Sequence, residues 1–175
     1  LATASADGTA RVWDTRDGGE LFILYGLTSD LWTVDWSSDS NQLLTGGGLT
    51  TRISDVSAQE IRLVGHTDTL IDAQWSPDMS LIVTTGFDGT ARTWDAGTGE
   101  LLATFSNHIH TDPAPQIVGL FGWSPFGNQV VTPGFDGAFR LWDARTGEES
   151  LVIPHEEVFP MAAEWSPDGT RVAGS

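Results

Sequence analysis

The chain has no cysteine among its 175 residues. This absence removes disulfides, thiolate nucleophiles and cysteine-ligated zinc together. It suits a reducing compartment, so a cytoplasmic location is expected. Basic residues are scarce: 8 Lys and Arg against 24 Asp and Glu, for a formal net charge of −16. Nucleic-acid binding draws on cations that displace counterions from phosphates, and anionic membrane attracts the same cations. Neither nucleic acid nor membrane is expected as a partner, whereas a basic protein or peptide suits this field. No apolar run approaches the roughly 18 residues of a membrane span. No basic-then-apolar leader and no Asn-x-Ser/Thr sequon is present. No ten-residue stretch carries an apolar stripe at helical spacing.

What is present is repetitive. Glycine numbers 20 and tryptophan 8, with 39% hydrophobic and 10% aromatic residues, enough for a folded core. Three lines end in a Trp-Asp pair: LATASADGTARVWD (1–14), IVTTGFDGTARTWD (82–95) and VVTPGFDGAFRLWD (130–143). A fourth is worn, LLTGGGLTTRISD (43–55), one residue short and with Ser54 in place of Trp. A second motif runs in phase with these lines: WSSDS, WSPDM, WSPFG and WSPDG begin at Trp36, Trp75, Trp123 and Trp165, at intervals of 39, 48 and 42 residues. A third marker, GHTDTLIDAQW from Gly65 and GLTSDLWTVDW from Gly26, starts ten residues before its Trp.

Period-two alternation in Trp32, Val34 and Trp36, in Ile71, Ala73 and Trp75, and in Gly119, Phe121 and Trp123 predicts strands with one face buried. Ser-Pro-Asp-Gly and Phe-Asp-Gly segments predict the tight turns between them. Four short strands per unit cannot cover both faces alone, so neighbouring units must stack.

These lines resemble WD40 repeats, and the resemblance covers essentially the whole chain. It implies an all-β fold: a WD40-type β-propeller of about four blades, each of four antiparallel strands, cut in mid-blade at both ends. The expected units are a partial blade 1–25, a degenerate blade 26–64, a blade 65–106, a blade 107–153 with an insertion, and a partial blade 154–175. The chain opens on Leu1, so a longer parent chain is expected. Further blades of that chain, or a second copy, would complete the ring.

His66, Thr84, Asp88 and Trp94 invite a catalytic reading as a His, a hydroxyl and a carboxylate. The resemblance implies instead a hydrogen-bonded brace inside one blade. Physical chemistry agrees, because a buried Asp and a buried indole N–H each need a partner. A brace is also needed in every blade, whereas an enzyme rarely repeats its triad. Thr3, Asp7 and Trp13, and Thr132, Asp136 and Trp142, match in part, with His108 or His110 as the donor for the latter set. In the worn unit Leu27 stands at the His position and only Thr45 is retained, so this blade is expected to be the least braced. His155, in the last unit, is displaced by one residue.

The irregular segment 106–119 carries His108, His110 and Asp112, metal ligands by type. A surface loop is the alternative, and no metal or cofactor is expected. The resemblance places partners on the rim of the channel. Ala6, Phe87 and Phe135 precede the turn Asp, and Thr69 and Asp30 lie three past the His position. Two aromatic rings there would anchor a partner or pack against the next blade. Arg11, Arg92 and Arg140 each stand two before their Trp, with Arg52 alongside in the worn line, a recurrence that points to local pairing with acids. The expected function is a protein-interaction scaffold or recognition module without catalysis. The alternatives are a sensing propeller of a nucleotide-dependent switch protein and, more remotely, an enzyme.

Overall fold

A computed structural model describes residues 1–25, 30–55, 60–106, 119–134, 136–154 and 160–175. Within these the chain forms seventeen short strands and no helix. Sheet one holds β1 (Ala2–Ala4), β2 (Ala10–Trp13) and β3 (Glu20–Leu24). Sheet two holds β4 (Leu31–Trp36), β5 (Gln42–Gly47), β6 (Thr50–Asp55) and β7 (Glu60–Val64). Sheet three holds β8 (Leu70–Trp75), β9 (Leu81–Gly86), β10 (Ala91–Asp95) and β11 (Leu101–Phe105). Sheet four holds β12 (Gly122–Trp123), β13 (Gln129–Gly134), β14 (Ala138–Asp143) and β15 (Glu149–Pro154). Sheet five holds β16 (Ala163–Trp165) and β17 (Val172–Gly174). Within each sheet, strands consecutive in sequence pair antiparallel, which makes the four-stranded sheets meanders of the kind that form propeller blades. No helix among the described residues is long and apolar enough to cross a membrane.

The core lies in the seams between sheets. Leu44 and Ile53 of sheet two pack with Ala73, Trp75, Ile82 and Trp94 of sheet three. Leu81 and Val83 of sheet three meet Phe121 and Val130 of sheet four. Phe105 stacks on Trp142 with ring centroids 5.1 Å apart. Val131, Phe139 and Leu141 of sheet four cover Ala163 of sheet five. Each seam buries the faces that a lone four-stranded sheet would leave wet, so adjacent sheets stabilise one another.

One local feature differs from the sequence expectation, and strand register settles a second that the sequence leaves open. Trp32, Val34 and Trp36 do not share one buried face. The register of β4 on β5 shifts between Leu31 and Thr33. This bulge turns Trp32 outward, leaving it 63% exposed. An equivalent shift in β8 falls between Leu70 and Asp72. The missing residue of the worn line comes out of a turn and not out of a strand. Thr45 faces Arg52 just as Thr84 faces Arg92 and Thr132 faces Arg140. Strands β5 and β6 therefore stay paired to Gly47↔Thr50, closed by Gly48-Leu49 with Gly48 at φ 52°.

The seam between sheets two and three holds two carboxylates. Asp72 accepts hydrogen bonds from the Thr33 hydroxyl (3.2 Å), the Ala73 N–H (2.9 Å) and the Gln74 amide (2.7 Å). Asp35 reaches the other way, accepting the Trp75 N–H at 3.3 Å. Burial pushes the Asp72 carboxyl up from its ordinary value, and Asp35 adds to this, against the three hydrogen bonds. A raised carboxyl favours the neutral form, so the stability it lends is complete below the ordinary value of 3.8 and is lost as pH rises through the folded value. Asp72→Asn is expected to raise the thermal midpoint at pH 7 by about 2–4 °C, the shift that ~1 kcal/mol gives in a domain of this size. The gain should vanish toward pH 3 in a series of thermal melts.

Candidate functional site

The b–c hairpin of sheet three, strands β9 and β10, positions the first group of candidate residues. Side chains alternate across a strand, so Thr84, facing Arg92, and Trp94, two residues further on, share a side. The Trp94 indole N–H donates to the Thr84 hydroxyl at 2.9 Å. His66 Nε2 lies 2.8 Å from the same oxygen, and His66 Nδ1 lies 2.9 Å from Asp88 Oδ2. An ionised carboxylate can only accept, which fixes the direction for a neutral imidazole. Trp94 donates to Thr84, Thr84 donates to His66, and His66 donates to Asp88. The Asp88 carboxylate also accepts the Thr67 N–H (3.0 Å), the Thr90 N–H (3.0 Å) and the Thr90 hydroxyl (2.7 Å). Burial alone would push Asp88 up, but the donors from His66, Thr67 and Thr90 outweigh it and hold the carboxyl well below its ordinary 3.8. Thr84 has 0% exposed surface, so its hydroxyl is closed to any substrate.

The other sheets repeat parts of this set. Trp142 donates to Thr132 at 2.7 Å, and Trp13 donates to Thr3 at 2.9 Å. Asp136 pairs with Arg140 at 2.6 Å, and Asp7 with Arg11 at 3.5 Å. Each of these arginines also reaches a glutamate on the next strand, Arg140 to Glu149 and Arg11 to Glu20. In sheet two Ser54 offers no indole, and the Thr45 hydroxyl is buried without a hydrogen-bond partner among the described residues. Leu27, His108, His110, Asp112, Phe135 and His155 lie outside the described residues. Among the described residues no group of three His, Cys, Asp or Glu is placed to hold a metal ion.

The residues expected at the channel rim form a second group. The Phe87 N–H donates to the Thr69 carbonyl at 2.9 Å, which ties the b–c turn to the segment before β8. Phe87 is 44% exposed and Thr69 half-buried. Asp30 and Ala6 are exposed. Beside Phe87 and Thr69 a cavity of about 630 Å³ opens, lined also by Trp32, Leu70, Ile71, Leu120 and Met161. Sequence reasoning missed Trp32, Leu120 and Met161. A common offset could have found the positions: Trp32, Ile71, Gly119 and Met161 each stand four residues before the innermost-strand Trp of their sheet.

The pattern described as "WD domain, G-beta repeat" matches residues 1–14, 18–54, 58–95 and 99–143. The chain belongs to the WD40 repeat family. It is 43% identical over 101 residues to a serine-threonine kinase receptor-associated protein of Gallus gallus, covering 55% of this chain and 28% of that protein. It is 32% identical over 108 residues to a U3 small nucleolar RNA-associated protein 21 homolog of Schizosaccharomyces pombe, covering 61% of this chain and 12% of that protein. It is 28% identical over 127 residues to Protein HIR1 of Phaeosphaeria nodorum, covering 62% of this chain and 12% of that protein. The matches thus span less than a third of these relatives' own lengths. The WD40 units are offset from the sheets: the unit 58–95 opens at the outer strand β7 of sheet two and closes on β10 of sheet three.

Thr84→Val leaves the Trp94 and His66 nitrogens without their shared oxygen and is expected to lower stability by about 2–3 kcal/mol in urea unfolding. A depressed carboxyl stabilises the fold fully above its ordinary 3.8, and that support is lost as pH falls through the folded value. Asp88→Asn should therefore lose most stability at neutral pH, with the gap to the unsubstituted chain closing in acid, opposite in sign to Asp72→Asn. In native-state hydrogen exchange, amides of β5 and β6 should open before those of β9 and β10. Equal protection would show that the missing indole does not weaken sheet two.

Proposed function

We propose that this chain is a recognition surface for a protein or peptide, and that it performs no reaction of its own. One observation carries this reading: an aromatic side chain, Phe87, stands 44% exposed on a turn that is itself pinned by hydrogen bonds. A rigid exposed ring gives contact area at small entropic cost, as binding hot spots do. Thr69 and Asp30 belong to the same contact face, with Phe135, His108 and His110 as its neighbours in the repeat pattern. The buried His66–Thr84–Asp88–Trp94 set serves as the brace that holds this face, with Thr132, Asp136 and Trp142, and Thr3, Asp7 and Trp13, as its counterparts. The charge of −16 supports a basic partner. Relatives named as associated with a serine-threonine kinase receptor and with U3 small nucleolar RNA support a part in larger assemblies. The lack of cysteine supports a cytoplasmic setting. The units 26–64, 65–106 and 107–153 act as successive blades of one surface, completed by further blades or a second copy.

Affinity capture from the source cells, followed by quantitative mass spectrometry, tests this reading. Phe87→Ala is expected to deplete a defined set of co-purifying proteins at least five-fold with little change in thermal midpoint, and added salt should release the same set. A loss of stability with no selective depletion would place Phe87 in packing and overturn the reading.

A further inference from the structure

We propose that the apolar cavity where the innermost strands converge seats a bulky apolar side chain carried on a basic peptide. This rests on the recognition reading above and names the chemistry of the partner. The cavity holds about 630 Å³, within the roughly 300–1,000 Å³ of sites that enclose a ligand. Its wall draws on four sheets: Trp32 from sheet two, Phe87 and Ile71 from sheet three, Leu120 beside sheet four, and Met161 beside sheet five. Trp32, Met161, Leu120 and Phe87 are 63%, 53%, 50% and 44% exposed. Large apolar side chains exposed singly are ordinary, but four that open on one concavity mark an interaction site.

The backbone builds this wall. The shift between Leu31 and Thr33 aims Trp32 away from the seam, and the shift between Leu70 and Asp72 sets Ile71 beside it. Leu120 and Ala162 are joined by a parallel bridge, with the Leu120 N–H donating to the Met161 carbonyl at 2.9 Å, so sheets four and five meet directly at the cavity.

Charge selects what the apolar anchor is attached to. Among the described residues no charged side chain lines the cavity. The exposed carboxylate Asp68 adjoins the lining residue Thr69 in sequence, and the exposed Asp30 stands two residues before Trp32. The chain contains no lysine, and Arg11, Arg92 and Arg140 are each engaged by an acid of their own sheet. An acidic apolar anchor would enter against this field. A Leu, Phe or Met side chain flanked by Lys and Arg satisfies both the wall and the rim.

The test is fluorescence anisotropy on the full chain with two labelled eight-residue peptides. Both carry Lys and Arg on either side; one has Leu-Phe at its centre and the other Ser-Ser. The Leu-Phe peptide is expected to bind at least ten-fold tighter, and the ratio should fall to about one in Trp32→Ala and in Met161→Ser. Phe126→Ser, an exposed position away from the cavity, should leave the ratio intact. Thermal melts identify any variant that fails to fold, and the other cavity variant then decides. Equal affinity for the two peptides would overturn the proposal in favour of charge alone. A native mass twice that of the chain, with Trp32 and Met161 shielded from oxidation, would overturn it in favour of a second copy in the cavity. If neither peptide binds while Phe87→Ala still depletes its partners, this proposal fails and the recognition reading stands.

Discussion

The hydroxyl of Thr84 accepts a hydrogen bond from the Trp94 indole and, with a neutral imidazole at His66, donates one in turn, at a point that no solvent reaches. A hydroxyl is suited to that place because it carries both functions on a single atom. Through it an indole on one strand, an imidazole before the sheet and a carboxylate in the turn become one directed chain of donors. The register Thr84↔Arg92 is what brings these groups together, and the same register recurs as Thr3↔Arg11, Thr45↔Arg52 and Thr132↔Arg140. The strand pairing and the hydrogen-bonded set thus depend on each other. A slip of one residue would turn every one of these side chains to the opposite face.

The acidic composition takes on a local meaning in this light. Asp95 and Asp143 accept backbone N–H groups of the turns that follow β10 and β14. Asp78 and Asp168 do the same after the innermost strands. The backbone donors hold Asp95 and Asp143 below their ordinary value, and the hydroxyls of Ser76 and Ser166, ahead of the backbone donors, do so for Asp78 and Asp168. Part of the negative charge therefore serves to close turns within single units. Asp72 is the exception. It sits between sheets, beside another carboxylate, and its ionised form opposes the packing around it.

Much of this architecture was legible in the sequence because its signals are local. A turn type demands Asp-Gly, a buried hairpin demands alternation, and a repeat multiplies both until they stand out. Thr84, Asp88 and Trp94 could be singled out as a group because the same three residue types recur at fixed offsets as Thr3, Asp7 and Trp13 and as Thr132, Asp136 and Trp142, and His66 joins them through the resemblance. What escaped was set by register between strands. Alternation predicts Trp32 on the buried side with Trp36, and only the shift against β5 turns it out. The missing residue of 43–55 could have fallen anywhere along the line, and only the pairing Thr45↔Arg52 places it in the turn. The cavity escaped for a related reason. Its wall is assembled from four sheets, and no window of sequence contains it.

The offset between the WD40 unit and the sheet bears on how such a chain can change length. A unit that starts at β7 and ends at β10 contributes the last strand of one sheet and the first three of the next. If that unit were excised whole, sheet two would lose β7 but gain β11 as its new outer strand, and every remaining sheet would keep its full complement. Duplication of a unit works equally well in the other direction. Gains and losses of whole copies can thus occur without passing through a protein that carries a broken blade.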